Sequence, residues 1–145
     1  MKKLFLVIVA MLTTLIAFAQ GTTAIKDSSI FKGRFYNKEY NVYIQLNAYQ
    51  RNVRVPGQDI FGELPGFLGD NQDARKWLFT DVELSDSTIA NLTVINDYGS
   101  EDLMATFEKK NDGTFELQQG KGSDMKIARN SKWVKLPKKL AFVKQ

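Results

Sequence analysis

Apolar and polar side chains alternate one by one along most of the chain after residue 29. The alternation comes in short runs, and each run ends in turn-forming residues such as Asn, Asp, Ser or Gly. A period of two puts the apolar side chains of a run on one face, which is typical of β-strands with one buried side. The runs predicted as strands are 30–36, 40–48, 77–84, 88–95, 103–108, a short run around Phe115, 132–136 and 139–144.

Eight short strands at hairpin spacing favour an all-β fold. The turn Asn111-Asp112-Gly113 is a strong hairpin signal, because Asp-Gly adopts the positive φ that tight turns require. We predict an antiparallel up-and-down barrel of about eight strands, since closure leaves no open strand edge. A small β-sandwich is the alternative. Residues 63–76, interrupted by Pro and Gly, are the one candidate for a helical turn.

The first residues resemble a secretory signal peptide. Lys2 and Lys3 precede an uncharged stretch that is apolar at its start and ends in Ala17-Phe18-Ala19. A basic start, a short apolar centre and small residues at the cleavage positions define such a signal. The stretch is shorter than the roughly 20 apolar residues that cross a bilayer. We therefore expect cleavage before Gln20 and export to the periplasm or out of the cell.

The expected domain organisation follows from that cleavage site and from the small polar residues after it. It consists of a signal peptide at 1–19, a flexible leader at 20–29 and a single β-barrel domain at 30–145.

Composition excludes several function classes. The 145-residue chain has 20 Lys and Arg against 16 Asp and Glu, a net charge of +4 that falls to +2 without Lys2 and Lys3. So small a charge gives little support for a nucleic-acid partner. The chain has no Cys and no His, which excludes disulfides, thiol nucleophiles, Ser-His-Asp catalysis and most transition-metal sites. We expect no cofactor, no metal and no membrane span after the signal peptide.

Charge is unevenly distributed in the mature chain. Residues 81–112 carry eight acids against two Lys, whereas residues 132–145 carry five Lys and no acid. The asymmetry either steers an anionic partner to the Lys-rich end or reflects outward Lys that discourage strand-edge pairing.

Residues 49–76 interrupt the hairpin rhythm. They contain two of the three Pro, four of the ten Gly and three of the five Arg, together with several large apolar side chains. Long segments of this kind inside compact domains are usually functional, and the apolar content argues against disorder. Either the segment plugs the open end of the barrel as part of the core, or it is a lid or portal over a ligand site.

The lid interpretation defines the candidate binding residues. Arg side chains favour anionic or planar partners, and exposed aromatic side chains anchor sugars and proteins. Aromatic residues that fall outside the main alternation, such as Phe79 and Tyr98, are predicted on the polar faces of the strands. The candidate ligand-binding residues are Tyr43, Arg51, Arg54, Phe61, Leu64, Phe67, Arg75 and Trp77.

Candidates for catalysis are limited to pairs of carboxylates. Asp81 and Glu83 are two apart in a predicted strand, so they share an outward, solvated face. Glu101 and Asp102 lie in a turn, where acidic residues are common for conformational reasons. With Asp97 they do not form a calcium-loop spacing. We expect no enzyme and assign no catalytic or metal residue; a carboxylate-based hydrolase ranks lowest among the hypotheses.

Three stretches carry a resemblance to a known group of proteins. They are Phe31–Tyr36 opening the first strand, Val55-Pro56-Gly57 leading into Phe61–Gly66, and the closing stretch Trp133–Phe142. With the signal peptide, this layout resembles small secreted lipocalin-like β-barrel proteins of Bacteroidetes-type bacteria. The resemblance implies an exported barrel. It implies no ligand and no functional residue, because the G-x-W fingerprint of lipocalins is interrupted: Phe35 stands where that Trp would be.

Two function hypotheses remain. The first is an exported non-catalytic binding module for a small molecule, glycan or lipid that enters under residues 49–76. The second is a protein interaction module, for example an inhibitor or accessory subunit, that uses exposed aromatic side chains as an interface. A deep apolar pocket favours the first, and a filled barrel with an exposed apolar patch favours the second.

Overall fold

The computed structural model describes residues 27–145. The predicted signal peptide, its cleavage site and most of the predicted leader lie outside these residues. No helix in the described part of the chain is long and apolar enough to cross a membrane. Within residues 27–145 the strands are β1 Lys32–Asn37, β2 Val42–Asn47, β3 Val53–Arg54, β4 Glu63–Leu64, β5 Gly66–Asp70, β6 Trp77–Asp86, β7 Ile89–Asn96, β8 Asp102–Lys109, β9 Phe115–Gly122, β10 Lys126–Arg129, β11 Lys132–Lys135 and β12 Lys139–Lys144.

Eight of these strands close into an antiparallel barrel. The order around the barrel is β1, β2, β5, β6, β7, β8, β9 and β12, and β12 pairs with β1. Barrel neighbours are thus also neighbours along the chain, apart from two excursions. We call residues 48–65, which contain the β3–β4 pair, the outer flap, and residues 123–138, which form the β10–β11 pair, the end hairpin. The predicted all-β up-and-down barrel is confirmed, in preference to the sandwich.

The barrel has eight strands, as predicted, but one of the eight is not among the predicted strands. The run 132–136 contains β11, which pairs with β10 in the end hairpin instead of joining the barrel. Its place in the barrel is taken by β5, which lies inside the stretch 63–76 that was the one candidate for a helical turn. The alternation signal fails for β5 because the outer flap covers its outward face, so that both faces are buried.

Phenylalanine side chains fill the barrel interior. Five of them, each at most 3% exposed, form one group of rings whose contacting centroids lie 4.6–6.2 Å apart, mostly in edge-to-face pairs. Such arrangements are favourable for aromatic pairs. The barrel interior is therefore filled by side chains at the level of these rings. The five are Phe31, Phe35, Phe107, Phe115 and Phe142.

A second apolar cluster lies on the outside of the barrel. Phe67 and Leu78 point outward from β5 and β6, and the outer flap covers them. The interpretation that residues 49–76 plug the open end of the barrel is therefore wrong for Phe61, Leu64 and Phe67, because they pack against the outer face of the sheet. The members of this outer cluster are Val53, Val55, Leu64, Phe67 and Leu78, with Tyr43, Phe61 and Ile95 at its margin.

The side chains of Trp77 and Phe79 point into the barrel, contrary to the predicted outward placement. A β-bulge explains the difference. The register of β6 with β7 shifts between Phe79 and Asp81, leaving Thr80 as the extra residue. One extra residue reverses which face the following side chains occupy. An uninterrupted period of two, counted back from the inward-facing Val82, therefore predicts the wrong face for Trp77 and Phe79.

Candidate functional site

A cleft opens at the end of the barrel that the end hairpin covers. Its walls come from the loop after β5, the loop after β7 and the end hairpin, and its volume is about 250 Å³. We call it the end cleft. Its lining consists of Arg75, Lys76, Trp77, Asn96, Asp97, Tyr98, Ser100, Glu101, Lys126 and Trp133.

The end hairpin is fixed to the barrel by buried polar contacts. The indole Nε1 of Trp77 donates a hydrogen bond to the backbone carbonyl of Lys126 at 3.0 Å. The guanidinium of Arg129 binds both carboxylate oxygens of Asp70, at 2.6 and 2.9 Å, and donates to the carbonyl of Tyr40 at 2.6 Å. Bidentate contacts of this kind impose orientation as well as attraction. This wall of the cleft is therefore held in place without a ligand.

The two loops are tied to each other by backbone contacts. Asp97 accepts a hydrogen bond from the backbone N–H of Lys76 at its carboxylate, and its own N–H donates to the Lys76 carbonyl, both at 3.1 Å. The side-chain oxygen of Asn96 accepts from the N–H groups of Ser100 and Glu101 at 2.9 and 3.2 Å. Side-chain closure of this kind fixes turn geometry. The loop walls are thus preformed.

Two large aromatic side chains of the cleft remain in contact with solvent. Trp133 is 61% exposed and Tyr98 is 78% exposed. The guanidinium carbon of Arg75 lies 4.7 Å from the centroid of the Trp133 ring, a cation–π contact that orients the indole. Amphipathic aromatic groups that are exposed but held in place are typical of binding surfaces.

Two neighbouring depressions adjoin the end cleft. One, of about 600 Å³, runs along the end hairpin and shares Arg75 and Trp133 with the cleft. The other, of about 400 Å³, is bounded by Pro56–Gln58 of the outer flap and shares Arg75 and Tyr98. Arg75 lines all three spaces. The surface around it is therefore one continuous set of grooves rather than an isolated pocket.

The structure does not bring the eight candidate binding residues together. Arg75 and Trp77 line the end cleft, although the Trp77 ring is buried. Arg51 pairs with Asp81 at 2.9 Å beside a separate depression, and Arg54 lies exposed on β3, 4.0 Å from Glu63. The other candidates lie in or beside the outer cluster: Tyr43, Phe61, Leu64 and Phe67.

Sequence reasoning missed Trp133 as a site residue. It lies in a run that was predicted as a barrel strand, and only the pairing of β11 with β10 shows that the run leaves the barrel. The available signal was a Trp among lysines, in Lys132-Trp133-Val134-Lys135. A large aromatic side chain between charged neighbours is favoured on exposed surfaces that bind partners.

The acidic side chains give no support for acid–base catalysis. Asp81 and Glu83 point outward and are exposed, as predicted. Within residues 27–145, no three acidic side chains converge in a way that could hold a metal ion. The carboxyl groups with a shifted pKa are all shifted below their ordinary 3.8, because they accept hydrogen bonds from neighbouring side chains and N–H groups: Asp27, Asp86, Asp112 and Asp124. A general acid at neutral pH requires the opposite shift.

Comparison of the chain with protein-family models, with curated proteins and with solved structures found no match. Fold and site alone therefore define its class. It is an eight-stranded up-and-down barrel with an aromatic core and a preformed, aromatic-rimmed cleft at one end.

Proposed function

We propose that this protein is an exported, non-catalytic binding module that binds a glycan in the end cleft. The observation that carries the proposal is Trp133, a solvent-exposed indole held in place by Arg75 at the rim of a preformed cleft. The C–H face of a sugar ring packs well against an exposed, oriented aromatic ring, and the ring hydroxyls need polar partners nearby. Lys76, Tyr98 and Ser100 supply such partners in the lining.

Of the ligands considered, a glycan fits these observations best. A lipid chain needs a deep apolar pocket, whereas phenylalanine side chains occupy the barrel interior. The end cleft has a volume of only about 250 Å³, and charged and amide side chains line it beside its aromatic ones. That size suits one or two sugar rings at the low end of ligand sites. The outer flap contributes at its margin, through Pro56–Gln58, rather than as a lid over the barrel.

Export is the second part of the proposal and rests on the N-terminal sequence. Lys2 and Lys3, the apolar stretch and Ala17-Phe18-Ala19 support it, as does the layout shared with small lipocalin-like exported barrels. The mass of the protein recovered from outside the cytoplasm should correspond to a chain that begins at Gln20. A chain that retains Met1 contradicts this part of the proposal without affecting the glycan site.

The glycan proposal is tested by titration after a glycan-array screen. Trp133→Ala should weaken binding of the best array ligand at least about tenfold, as expected when a central aromatic anchor is removed. Met104→Ala is the matched control, because Met104 is also a large exposed apolar side chain but lies on β8, outside the end cleft. If no array glycan binds, or if both variants bind as the wild type does, the proposal is wrong.

Fluorescence provides an independent signal in the same titration. The chain has two Trp, and only Trp133 is exposed, since Trp77 is buried and hydrogen-bonded. Ligand binding should change the emission of the wild type more than that of Trp133→Phe, in which only the buried Trp77 remains. A change of equal size in Trp133→Phe would show that the ligand does not contact Trp133.

A protein partner is the second candidate function, and Ile60 favours it. Ile60 is 95% exposed at the tip of the outer flap, in a 3₁₀ turn of residues Asp59–Phe61 between Gly57 and Gly62. The tip is pre-organised by backbone hydrogen bonds, including Gly62 N–H to the Asp59 carbonyl at 3.2 Å. A partner that docks here should be released by Ile60→Asp and retained by Met104→Ala in a binding assay with the purified partner. Equal retention by both variants excludes this surface.

A further inference from the structure

The end cleft and the larger depression beside it are separated by a ridge formed by Arg75 and Trp133. Both residues line both spaces, of about 250 and 600 Å³. Tyr98 lies on one side of the ridge, and Asn130–Lys132 lie on the other. A ligand that uses both spaces must therefore be longer than one sugar ring and must cross the ridge.

Two lysines beside this ridge have no carboxylate close to their ammonium groups, and Asp97 in the end cleft and Asp73 in the depression also line the two spaces. The ammonium of Lys76 donates to the backbone carbonyl of Ala74 at 2.7 Å, and among residues 27–145 no carboxylate lies within 4.0 Å of it. Lys132, in the adjoining depression, has no such partner among the described residues either. By contrast, Lys126 in the same cleft is paired with Glu101 at 3.1 Å.

The position of Arg75 leaves its hydrogen-bond donors available. Its guanidinium lies over the Trp133 ring, and its nearest carboxylate, that of Asp73, is 3.8 Å away, beyond hydrogen-bond length. A guanidinium that contacts an aromatic ring and has no carboxylate within hydrogen-bond length keeps N–H donors for a ligand. Those groups match the paired oxygens of a carboxylate or a sulfate.

We propose that the ligand is an acidic oligosaccharide that crosses the Arg75–Trp133 ridge. One sugar ring stacks on Trp133, and its carboxylate or sulfate is bound by Arg75 and Lys76. The next ring lies in the depression beside Lys132. The inference rests on the proposed glycan function and specifies its charge and length. No bond is made or broken, so the interaction is binding alone.

The test is isothermal titration with four probes on the mature protein. They are galacturonic acid, its α-1,4-linked trimer, the neutral galactose trimer and a sulfated galactose trimer. We expect at least one acidic trimer to bind about tenfold or more tighter than the neutral trimer, and the acidic monomer to bind more weakly than the trimer. Whichever binds more tightly, the galacturonic acid trimer or the sulfated trimer, shows whether the site prefers a carboxylate or a sulfate. The preference should shrink between about 0.05 and 0.3 M NaCl because salt screens exposed charges.

Variants separate charge recognition from stacking. Lys76→Met should reduce binding of the acidic trimer about tenfold and leave weak binding of the neutral trimer within about twofold. Arg75→Gln should weaken binding of both trimers, because Arg75 also orients the Trp133 ring. Lys109→Met is the control, because Lys109 is an exposed lysine on β8, outside the cleft and the adjoining depression. Circular dichroism of each variant checks that the fold is intact.

The outcomes distinguish the two proposals. Acidic and neutral trimers that bind equally well, with loss of both in Trp133→Ala, overturn the acidic specificity and leave the glycan site standing. An equal effect of Lys109→Met and Lys76→Met also overturns the specificity. No binding of any probe, together with a glycan array without a single ligand, overturns both.

Discussion

Gly66 lies where strand β5 passes so close to β2 that a side chain has no room. A Cβ atom at this position would lie 2.3 Å from the carbonyl oxygen of Gln45 and 3.1 Å from the Cα of Leu46. Real Cβ atoms essentially never come within 3.0 Å of such atoms. Because the obstacle is main chain, no rotamer change relieves it. Gly66→Ala must therefore move β2 and β5 apart.

The size of that movement sets the cost. Relieving the overlap requires a shift of about 0.7 Å, which stretches a ladder hydrogen bond from about 2.9 Å beyond useful length. Loss of one or two such bonds and of the surrounding packing costs about 1–3 kcal/mol. The stiffer unfolded chain of the alanine variant offsets about 0.4–1 kcal/mol of it. We expect Gly66→Ala to lower the free energy of unfolding by about 1 kcal/mol.

Gly69 on the same strand is the matched control. A Cβ there would meet the end of the Tyr43 ring at 2.5–2.8 Å, and a side chain can move where main chain cannot. Gly69→Ala should therefore cost less than Gly66→Ala. It should cost nothing in a Tyr43→Ala background, where the ring is absent.

Urea denaturation followed by circular dichroism measures both variants. If Gly66→Ala is as stable as the wild type, or more stable, the close approach of β5 to β2 is refuted. In that case the main effect of the substitution would be the lower conformational entropy of the unfolded alanine variant, which favours folding. If Tyr43→Ala restored the stability of the Gly66→Ala variant, that result would also contradict the main-chain origin of the clash.

Two further predictions concern charge. Arg129→Gln should lower the free energy of unfolding by about 2–4 kcal/mol and weaken ligand binding, because it leaves the buried Asp70 carboxylate without its bidentate partner. Urea denaturation measures the loss of stability. The double variant Arg129→Gln, Asp70→Asn should recover part of it, because the unpaired charge is then removed. Hydrogen bonds from Lys138 and Lys135 hold the pKa of Asp124 below its ordinary 3.8, so the stabilisation is complete above about pH 4 and is lost as the pH falls through the lowered value. The urea midpoint of Asp124→Asn should therefore fall less steeply below pH 4 than that of the wild type, and parallel curves would contradict this assignment.

The barrel could be predicted from sequence because most of its strands bury one face only. For β2, β7 and β8 buried side chains alternate with partly buried or exposed ones along most of the strand, so pattern and register agree. Strand β5 escaped because both of its faces are buried, and its glycines read as turn residues. Whether the outward faces of β5 and β6 are buried depends on the outer flap, which covers them only in the folded chain.

The site was less accessible to sequence reasoning for a related reason. Arg75 and Tyr98 were recognised as notable from sequence, but their partner Trp133 lies in a run with the alternation of an ordinary strand. Its exposure follows from the departure of β11 from the barrel, which depends on tertiary pairing. A single unpaired bulge residue, Thr80, was also enough to reverse the assigned faces of Trp77 and Phe79.

The two excursions of the chain explain why binding is proposed at one end of the barrel. The barrel strands are joined mostly by short turns, which leave little surface for a ligand. The end hairpin covers one mouth, and the outer flap runs along the outer face until Pro56–Gln58 reach the depression shared by Arg75 and Tyr98. Both excursions thus border the same grooves. Since exposed loop positions on a rigid scaffold tolerate change better than the scaffold does, substitutions of exposed residues in these two segments should alter the ligand while the filled barrel keeps its stability.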